Sequence, residues 1–183
     1  MTTPTQARAH RRDLDELVRL AKSDLRIVFD RHDDPETARD ALLVVLPRLI
    51  AVYGSAAATL AADWYDDLRD AEGARGRYRA APGELPDEGR AEILARWGVG
   101  PLFAAVPDKL TAYSKTSGGL QRVIADADRQ TITQASTEDR RSPGWVRVTS
   151  GGCPWCESMA GESTGPDFAS HDGCSCVAAP VFV

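Results

Sequence analysis

Apolar residues near the start of the chain recur at three- and four-residue spacing, which predicts an amphipathic helix from about Thr5 to Arg31. The apolar stripe consists of Leu14, Leu17, Val18, Ala21, Leu25 and Val28. Asp34 and Pro35 then indicate a stop and a restart, because aspartate is a favourable N-cap and proline suits the first position of a helix.

A longer apolar pattern predicts a second helix from Pro35 to about Ala71. Pro47 lies inside it and removes one intrahelical hydrogen bond, so we expect a kink about one turn earlier. The stretch from Leu42 to Ala62 is apolar enough to be compared with a membrane span, but Arg48 would cost about 2.5–3.5 kcal/mol in a bilayer. We therefore expect no membrane segment, and instead a helix buried on a broad face and antiparallel to the first.

The composition changes between Glu72 and Arg90 to glycine, proline, arginine and acidic residues, which predicts a flexible linker. Arginines at 75, 77 and 79 could contact phosphates, but an exposed basic loop with no special role is the favoured interpretation. A short helix follows from Glu88 to Trp97 and ends at Gly98.

A further helix is predicted from about Asp108 to Asp139. Gly118 and Gly119 lie inside it, and each costs about 1 kcal/mol in a helix interior, so we expect a bend or break there. Four charged residues follow in the second half of the helix. They alternate in sign and predict a solvated face rather than catalytic carboxylates and phosphate ligands: Arg122, Asp126, Asp128 and Arg129.

The C-terminal part changes to β-type patterns. Polar and apolar residues alternate from Gly144 to Ser150, which predicts a short strand, and an apolar strand is predicted from Val177 to Val183. Between them we expect one helical turn at Glu157–Ala160 and a polar loop at 161–170. The predicted fold is mainly α: a long N-terminal helical hairpin and further helices, with a small C-terminal α+β module stapled by cysteine and histidine. Its predicted segments are 1–72, 73–107, 108–140 and 141–183.

Composition limits the classes of function. The chain has 183 residues, of which 43% are hydrophobic and 27% charged, so a folded core is expected. Its net charge of −5 argues against a protein that wraps nucleic acid non-specifically. The N-terminal arginines are not followed by an apolar run, so no secretory signal is expected.

All four cysteines lie in the C-terminal stretch, where they predict a metal site. Zinc prefers four nitrogen or sulfur ligands, commonly as two close pairs, and Cys153 with Cys156 forms the first pair. The second pair comes from His171, Cys174 and Cys176. We favour His171 with Cys174, because their spacing matches a zinc knuckle, and keep Cys176 as the alternate ligand.

Two other states of the cysteines stay open, namely two disulfides and four reduced structural thiols. Disulfides are disfavoured without a secretory signal. If zinc is bound, the protein supplies all four ligands, which indicates a structural site rather than a catalytic one. Asp172 is a candidate acceptor behind the ligand histidine.

The whole C-terminal pattern resembles that of phage MuF-like minor head proteins, the head morphogenesis proteins common in phages of actinobacteria. The helix at 119–132, GLQRVIADADRQTI, is similar to the helix that precedes this motif in the family. The chain departs from the family at Gly161-Glu162, where members often carry Arg-Gly. The matching residues are Trp145, Arg147, Val148, Gly152, Cys153, Cys156, Met159, Ala160, His171, Cys174, Cys176, Pro180, Val181 and Phe182.

The resemblance implies a non-enzymatic role in the phage head. Proteins of this kind are made in the host cytoplasm and become minor components of the virion head, where their partners are the portal protein and the major capsid protein. Contact with packaged DNA is a further implied possibility.

Two interpretations from other classes were weighed against this one. His171-Asp172 beside a cysteine pair is similar to part of the ββα-metal nucleases, so a small zinc-containing nuclease or nucleic-acid-binding module is the main alternative. The segment lacks the asparagine and second histidine of such a site. Cys153-Pro154-Trp155-Cys156 also has the spacing of a thiol-disulfide oxidoreductase, but the βαβ pattern that accompanies that motif is absent.

Overall fold

The structure, a computed structural model, describes residues 4–86, 88–151 and 153–183. Its helices are α1 (Pro4–Arg31), α2 (Pro35–Leu49), α3 (Ser55–Ala71), α4 (Glu88–Gly98), α5 (Lys109–Glu138) and α6 (Pro154–Ser158). Its strands are β1 (Gly144–Val148), β2 (Gly161–Ser163) and β3 (Val177–Val181). The predicted class is confirmed, since a mainly helical chain ends in a small antiparallel sheet with the order β2-β1-β3. The division into four segments stays a prediction.

Helix α2 begins after α1 with the N-cap that the sequence predicts. Asp34 is the N-cap of α2, and its carboxylate accepts a hydrogen bond from the backbone N–H of Thr37 at 2.9 Å. The hydrogen bonding of the helix becomes irregular after Pro47 rather than before it. A π-helical segment, Ile50–Gly54, joins α2 to α3. The kink expected one turn before Pro47 stays a prediction, and the irregular hydrogen bonding after the proline was not predicted.

Helix α5 is the element against which the others pack, since α1, α3, α4 and β3 all contact it. The predicted break at its two glycines was also wrong, because α5 is continuous from Lys109 to Glu138. A Cβ at Gly119 would lie 2.4 Å from Cδ1 of Leu94 on α4. The missing side chain allows a close helix crossing, and the packing gained there offsets the low helix propensity of glycine.

The main hydrophobic core lies among α1, α2, α4 and α5, and it extends to Val177 at the start of β3. The joined helix Pro35–Ala71 is long and apolar enough to cross a membrane, but core helices pass the same test. Leu42 and Leu46 of this helix are fully buried. The helix therefore contributes a broad buried face, as predicted.

The linker between α3 and α4 crosses the surface of α3 and α5. Arg69 is buried and donates hydrogen bonds to the carbonyl oxygens of Ala74 and Arg75 and to the carboxylate of Asp139, the last at 2.7 Å. Arginines 75, 77 and 79 are exposed, as predicted for this loop. Arg79 is paired with Asp70 at 2.9 Å.

The charged residues of α5 depart most clearly from their predicted environment. Asp128 and Arg129 are 0% and 1% exposed, so the predicted solvated face was wrong for both. Nε2 of His10 on α1 lies 2.6 Å from Oδ1 of Asp128, and the imidazole ring stacks on Trp64 at 4.0 Å. Burial of Arg129 is tolerated because its guanidinium meets carbonyl oxygens that replace water, whereas Asp128 is paired through Oδ1 and its Oδ2 has no partner within the described residues.

Candidate metal centre

The first half of the centre is a one-turn helix that carries two cysteines. Cys153 is the N-cap of α6 and its carbonyl oxygen accepts from the N–H of Glu157 at 2.9 Å. Pro154 occupies the first helical position, where its missing N–H has no cost. This turn presents Cys153 and Cys156 from the same side. Gly152, one of the residues that match the family pattern, lies outside the described residues.

The second half is a tight turn before β3. The N–H of Cys174 donates to the carbonyl oxygen of His171 at 3.1 Å, and Gly173 adopts a φ of 76°, which residues with a side chain rarely do. Nδ1 of His171 lies 2.9 Å from the carbonyl oxygen of Asp172. That contact requires the proton on Nδ1, so Nε2 is left with its lone pair. The acceptor expected behind the ligand histidine is thus the backbone of Asp172 rather than its carboxylate.

The two halves bring all five predicted donors into one cluster. Nε2 of His171 lies 3.4 Å from Sγ of Cys153 and 3.2 Å from Sγ of Cys156, while the sulfurs of Cys156 and Cys174 are 3.7 Å apart. Zinc bonds of ~2.3 Å to sulfur and ~2.0 Å to nitrogen give tetrahedral edges of about 3.8 Å between sulfurs and about 3.5 Å between sulfur and nitrogen. These separations have the size that a tetrahedral ion requires.

Cys156 belongs to two groups of potential ligands. Its sulfur lies within 4.8 Å of the donor atoms of Cys153 and His171, and likewise of Cys174 and Cys176. Cys156, Cys174 and Cys176 are buried, whereas Cys153 and His171 are half-buried. Cys156 is therefore common to both groups. The choice between His171 and Cys176 as partner of Cys174 stays a prediction.

No disulfide joins the four cysteines. Burial raises the pKa of Cys156 to about 11. The Cys174 thiol donates to Cys176, and this contact, together with burial, raises the pKa of Cys174 to about 12. The same contact lowers the pKa of Cys176 to about 6. Several thiolates this close can form together only if a cation neutralises them, which is the electrostatic condition of a metal site.

Arg129 connects the cluster to the helical part. Its Nε donates to the carbonyl oxygen of Cys176 at 2.9 Å and its Nη2 to that of Cys174 at 2.8 Å, while Nη1 contacts Asp126 at 2.8 Å. The sequence did not reveal this role, because the alternating charges of α5 also fit a solvated face. One arginine thus fixes the backbone that carries two of the five donors.

Arg147 supports the cluster from the strand side. It is buried, although the prediction singled it out only as part of the resemblance. Its guanidinium lies 3.7 Å from the ring centroid of Phe168, and its Nη2 donates to the carbonyl oxygen of Ala169 at 2.6 Å. The alternation along β1 could have indicated this burial, since Arg147 shares the face of buried Trp145.

The two donor groups of the cluster could hold a metal ion. Both groups consist of cysteine and histidine, the ligands that structural zinc prefers. Nε2 of His171 points between two sulfurs, so it is not positioned as a general base towards solvent. Trp155 lies beside the same imidazole, with ring centroids 5.5 Å apart.

The model of a protein family described as VG15 protein matches residues 1–183, which is the whole chain. No curated protein and no solved structure matches it.

Proposed function

This chain belongs to the VG15 protein family, a family of phage proteins, and we propose that it is a structural minor head protein of a tailed phage. In this proposal it takes part in the assembly of capsid and portal, and its C-terminal cluster holds a structural zinc ion. The protein is made in the host cytoplasm and ends in the virion head. Its partners are the portal protein and the major capsid protein.

The observation that carries the proposal is the Cys/His cluster and the way it is held. Five donors from two short segments converge, and Arg129 ties one of those segments to the core helix α5. Such a cluster stabilises a module whose strands have three to five residues, too few to form a core of their own. The Trp145-to-Phe182 pattern resembles that of MuF-like minor head proteins and supports the specific role in the head.

The role in the head can be tested on particles of the phage that encodes the chain. Purified heads are digested and quantified by mass spectrometry, with wild-type protein or Cys156→Ser supplied from a plasmid to a phage that lacks the gene. We expect the wild-type chain in heads at a copy number far below that of the capsid protein, and Cys156→Ser at a lower level. A chain found only in the soluble lysate would contradict the proposal.

A second assay distinguishes the structural role from the nuclease alternative. Purified protein is incubated with supercoiled plasmid and magnesium, and His171→Ala is compared with His32→Ala as a matched control. We expect no nicking by any of the three proteins. Nicking that disappears only in His171→Ala would replace the structural role by a catalytic one.

A further inference from the structure

The joined helix α2–α3 presents a continuous outer face whose middle carries no charge. We call this the outer face and define it by the exposed residues Val44, Arg48, Ala51, Val52, Ser55, Thr59 and Asp63, which follow one another at one- to four-residue steps. Val44 is 54% exposed and Val52 is 63% exposed. Less than half of the most apolar stretch of this helix is buried inside the fold.

The charge pattern of the outer face differs from that of the exposed positions of α1. Along α1 the exposed positions are mostly charged, among them Arg12, Glu16 and Arg19. Along the outer face, by contrast, positions 49–62 contain no Asp, Glu, Lys or Arg. About four helical turns of the outer face therefore expose only small or aliphatic side chains, and the half-buried Tyr53 lies beside it, where it donates to Asp24. A solvent-exposed helix normally carries charges there.

Arg48 and Asp63 mark the two ends of this uncharged surface. Neither has an ion-pair partner within the described ranges of the chain. They lie 15 positions apart, which corresponds to about 22 Å along the helix. The two unpaired charges are therefore opposite in sign and placed at opposite ends of one surface.

We propose that the outer face is the interface with a second copy of this chain, in which the two α2–α3 helices pack antiparallel about a two-fold axis. With the axis between Ser55 and Ala56, Arg48 of each copy lies opposite Asp63 of the other. Val52 then lies opposite Thr59. Because a two-fold axis makes both ends of the interface identical, each unpaired charge lies opposite a charge of the other sign.

The small side chains of the surface fit such a pairing. Ala51, Ser55 and Thr59 recur at four-residue spacing, which lets two helix axes approach to about 8 Å. At that distance the long side chain of Arg48 reaches across to a carboxylate. A lipid bilayer is a poorer occupant, because it would bury both charges unpaired and gain little from serine, threonine and alanine. The self-complementary charges thus favour a second copy.

The expected dimer is weak. A pairing of about four turns buries less than the ~800 Å² per partner of a standard complex. We expect a dissociation constant on the order of micromolar, so that association depends on protein concentration. This inference does not depend on the proposed role in the head or on the metal.

Sedimentation equilibrium of the full chain over a range of concentrations tests the proposal. Wild-type protein is expected to shift from monomer to dimer as the concentration rises. Ser55→Glu, which places two like charges beside the axis, should be monomeric at every concentration. Circular dichroism verifies that this exposed substitution leaves the helices intact.

A charge exchange makes the test specific. Arg48→Glu and Asp63→Arg each create like-charge pairs at both ends of the interface and should weaken the dimer about tenfold or more. The two substitutions combined in one chain should restore it. The single changes alter the net charge in opposite directions, so a general charge effect cannot weaken the dimer in both. Arg12→Glu on α1 is the matched control and should leave the dimer unchanged.

Three results would overturn the proposal. The first is a wild-type chain that stays monomeric at all concentrations. The second is a dimer that survives Ser55→Glu or that is not restored by the charge exchange. The third is a monomer that binds phospholipid vesicles and loses that binding in Ser55→Glu, which would assign the outer face to a membrane surface.

Discussion

Arg129, on the central helix, donates from Nη2 to the backbone carbonyl oxygen of Cys174 at 2.8 Å, and this bond lies at the junction of the helical part and the cysteine cluster. The guanidinium is 1% exposed. The relationship links the stability of the helical part to the geometry of the ligands. A substitution in the helical part should therefore alter the geometry of the ligands, and a change in the cluster should alter the stability of the helical part.

Replacing Arg129 tests that link. Arg129→Gln leaves the carbonyl oxygens of Cys174 and Cys176 without their charged donor and leaves Asp126 with a weaker pair. We expect the free energy of unfolding to fall by about 3–5 kcal/mol, measured by urea titration, together with a weaker affinity for zinc. Arg96→Gln is the matched control, since this exposed arginine pairs with Glu92 of its own helix at 2.8 Å and should cost no more than about 1 kcal/mol. Equal losses in the two variants would contradict this role of Arg129.

Removal of the metal should destabilise the whole chain. Unfolding exposes the ligands, so the free energy of binding adds to the free energy of folding. We expect a chelator to lower the melting temperature by about 10 °C. Cys156→Ser should melt at the temperature of the chelated wild type and should not respond to the chelator. An unchanged wild-type melting curve after complete chelation would show that the cluster holds no stabilising ion.

Acid should release the metal. The pKa shifts of the cysteines determine how steeply the apparent affinity for zinc falls as the pH decreases. Cys156 and Cys174, with pKa values raised to about 11 and about 12, keep their protons at neutral pH and lose them to the ion. Cys176, lowered to about 6, is already ionised above that pH and adds no further proton. At least these two protons are released, before any from Cys153, so the apparent affinity weakens about 100-fold or more for each unit of decreasing pH between about 7 and 8.

The hydrogen bond between His171 and the Asp172 carbonyl raises the pKa of the imidazole, which adds a further competing proton as the pH falls through that raised pKa. Protonation of His171 stabilises the metal-free fold at acid pH, and this contribution is lost as the pH rises through the raised pKa. The slope of affinity against pH should therefore steepen in acid. Competition titrations with a chromophoric chelator at several pH values measure it, and a slope near zero would contradict binding through protonated thiols.

The buried pair between His10 and Asp128 should behave as a unit. His10→Phe keeps the stacking on Trp64 but removes the partner of a carboxylate that is 0% exposed, and Oδ2 of that carboxylate already has no partner within the described residues. We expect a loss of about 3–5 kcal/mol in the free energy of unfolding. Adding Asp128→Leu should recover part of it, because the uncompensated charge is removed. A double variant as unstable as the sum of the two single variants would show that the pair is not coupled.

Two glycine substitutions, one in α4 and one in α5, should change the free energy of unfolding in opposite directions. A Cβ at Gly98 would lie 2.1 Å from Oγ1 and 3.0 Å from Cβ of Thr116 on α5, so Gly98→Ala should destabilise the protein by about 1–3 kcal/mol. At Gly118 the nearest atom is Cβ of Asp172 at 3.7 Å, so Gly118→Ala should stabilise it by up to about 1 kcal/mol through helix propensity. Urea titration measures both. Two changes of the same sign would contradict the described crossing.

The sequence predicted the helices and the donor set because both depend on local patterns. The 3.6-residue repeat and the Asp34-Pro35 restart determine where α1 and α2 lie, and the spacing of Cys153, Cys156 and His171 selects the ligand segments. The short strand β2 was missed, since Gly161–Ser163 has no apolar alternation and pairs only through its backbone with β1. Polar sequence there resembles a loop.

The remaining errors concern residues whose environment is set by distant segments. Gly119 was expected to break α5, but it allows contact with Leu94 of another helix. Asp128 and Arg129 were expected in solvent, but their partners are His10 and the carbonyl oxygens of Cys174 and Cys176. No spacing within α5 indicates these contacts.

We propose that the C-terminal cluster binds one structural zinc ion. Native mass spectrometry of the full chain, purified without chelator, measures the bound metal. We expect one zinc per chain in the wild type and none in Cys156→Ser, with His32→Asn retaining the metal as a control. A wild-type chain that carries no metal and has four titratable thiols would contradict the proposed zinc site.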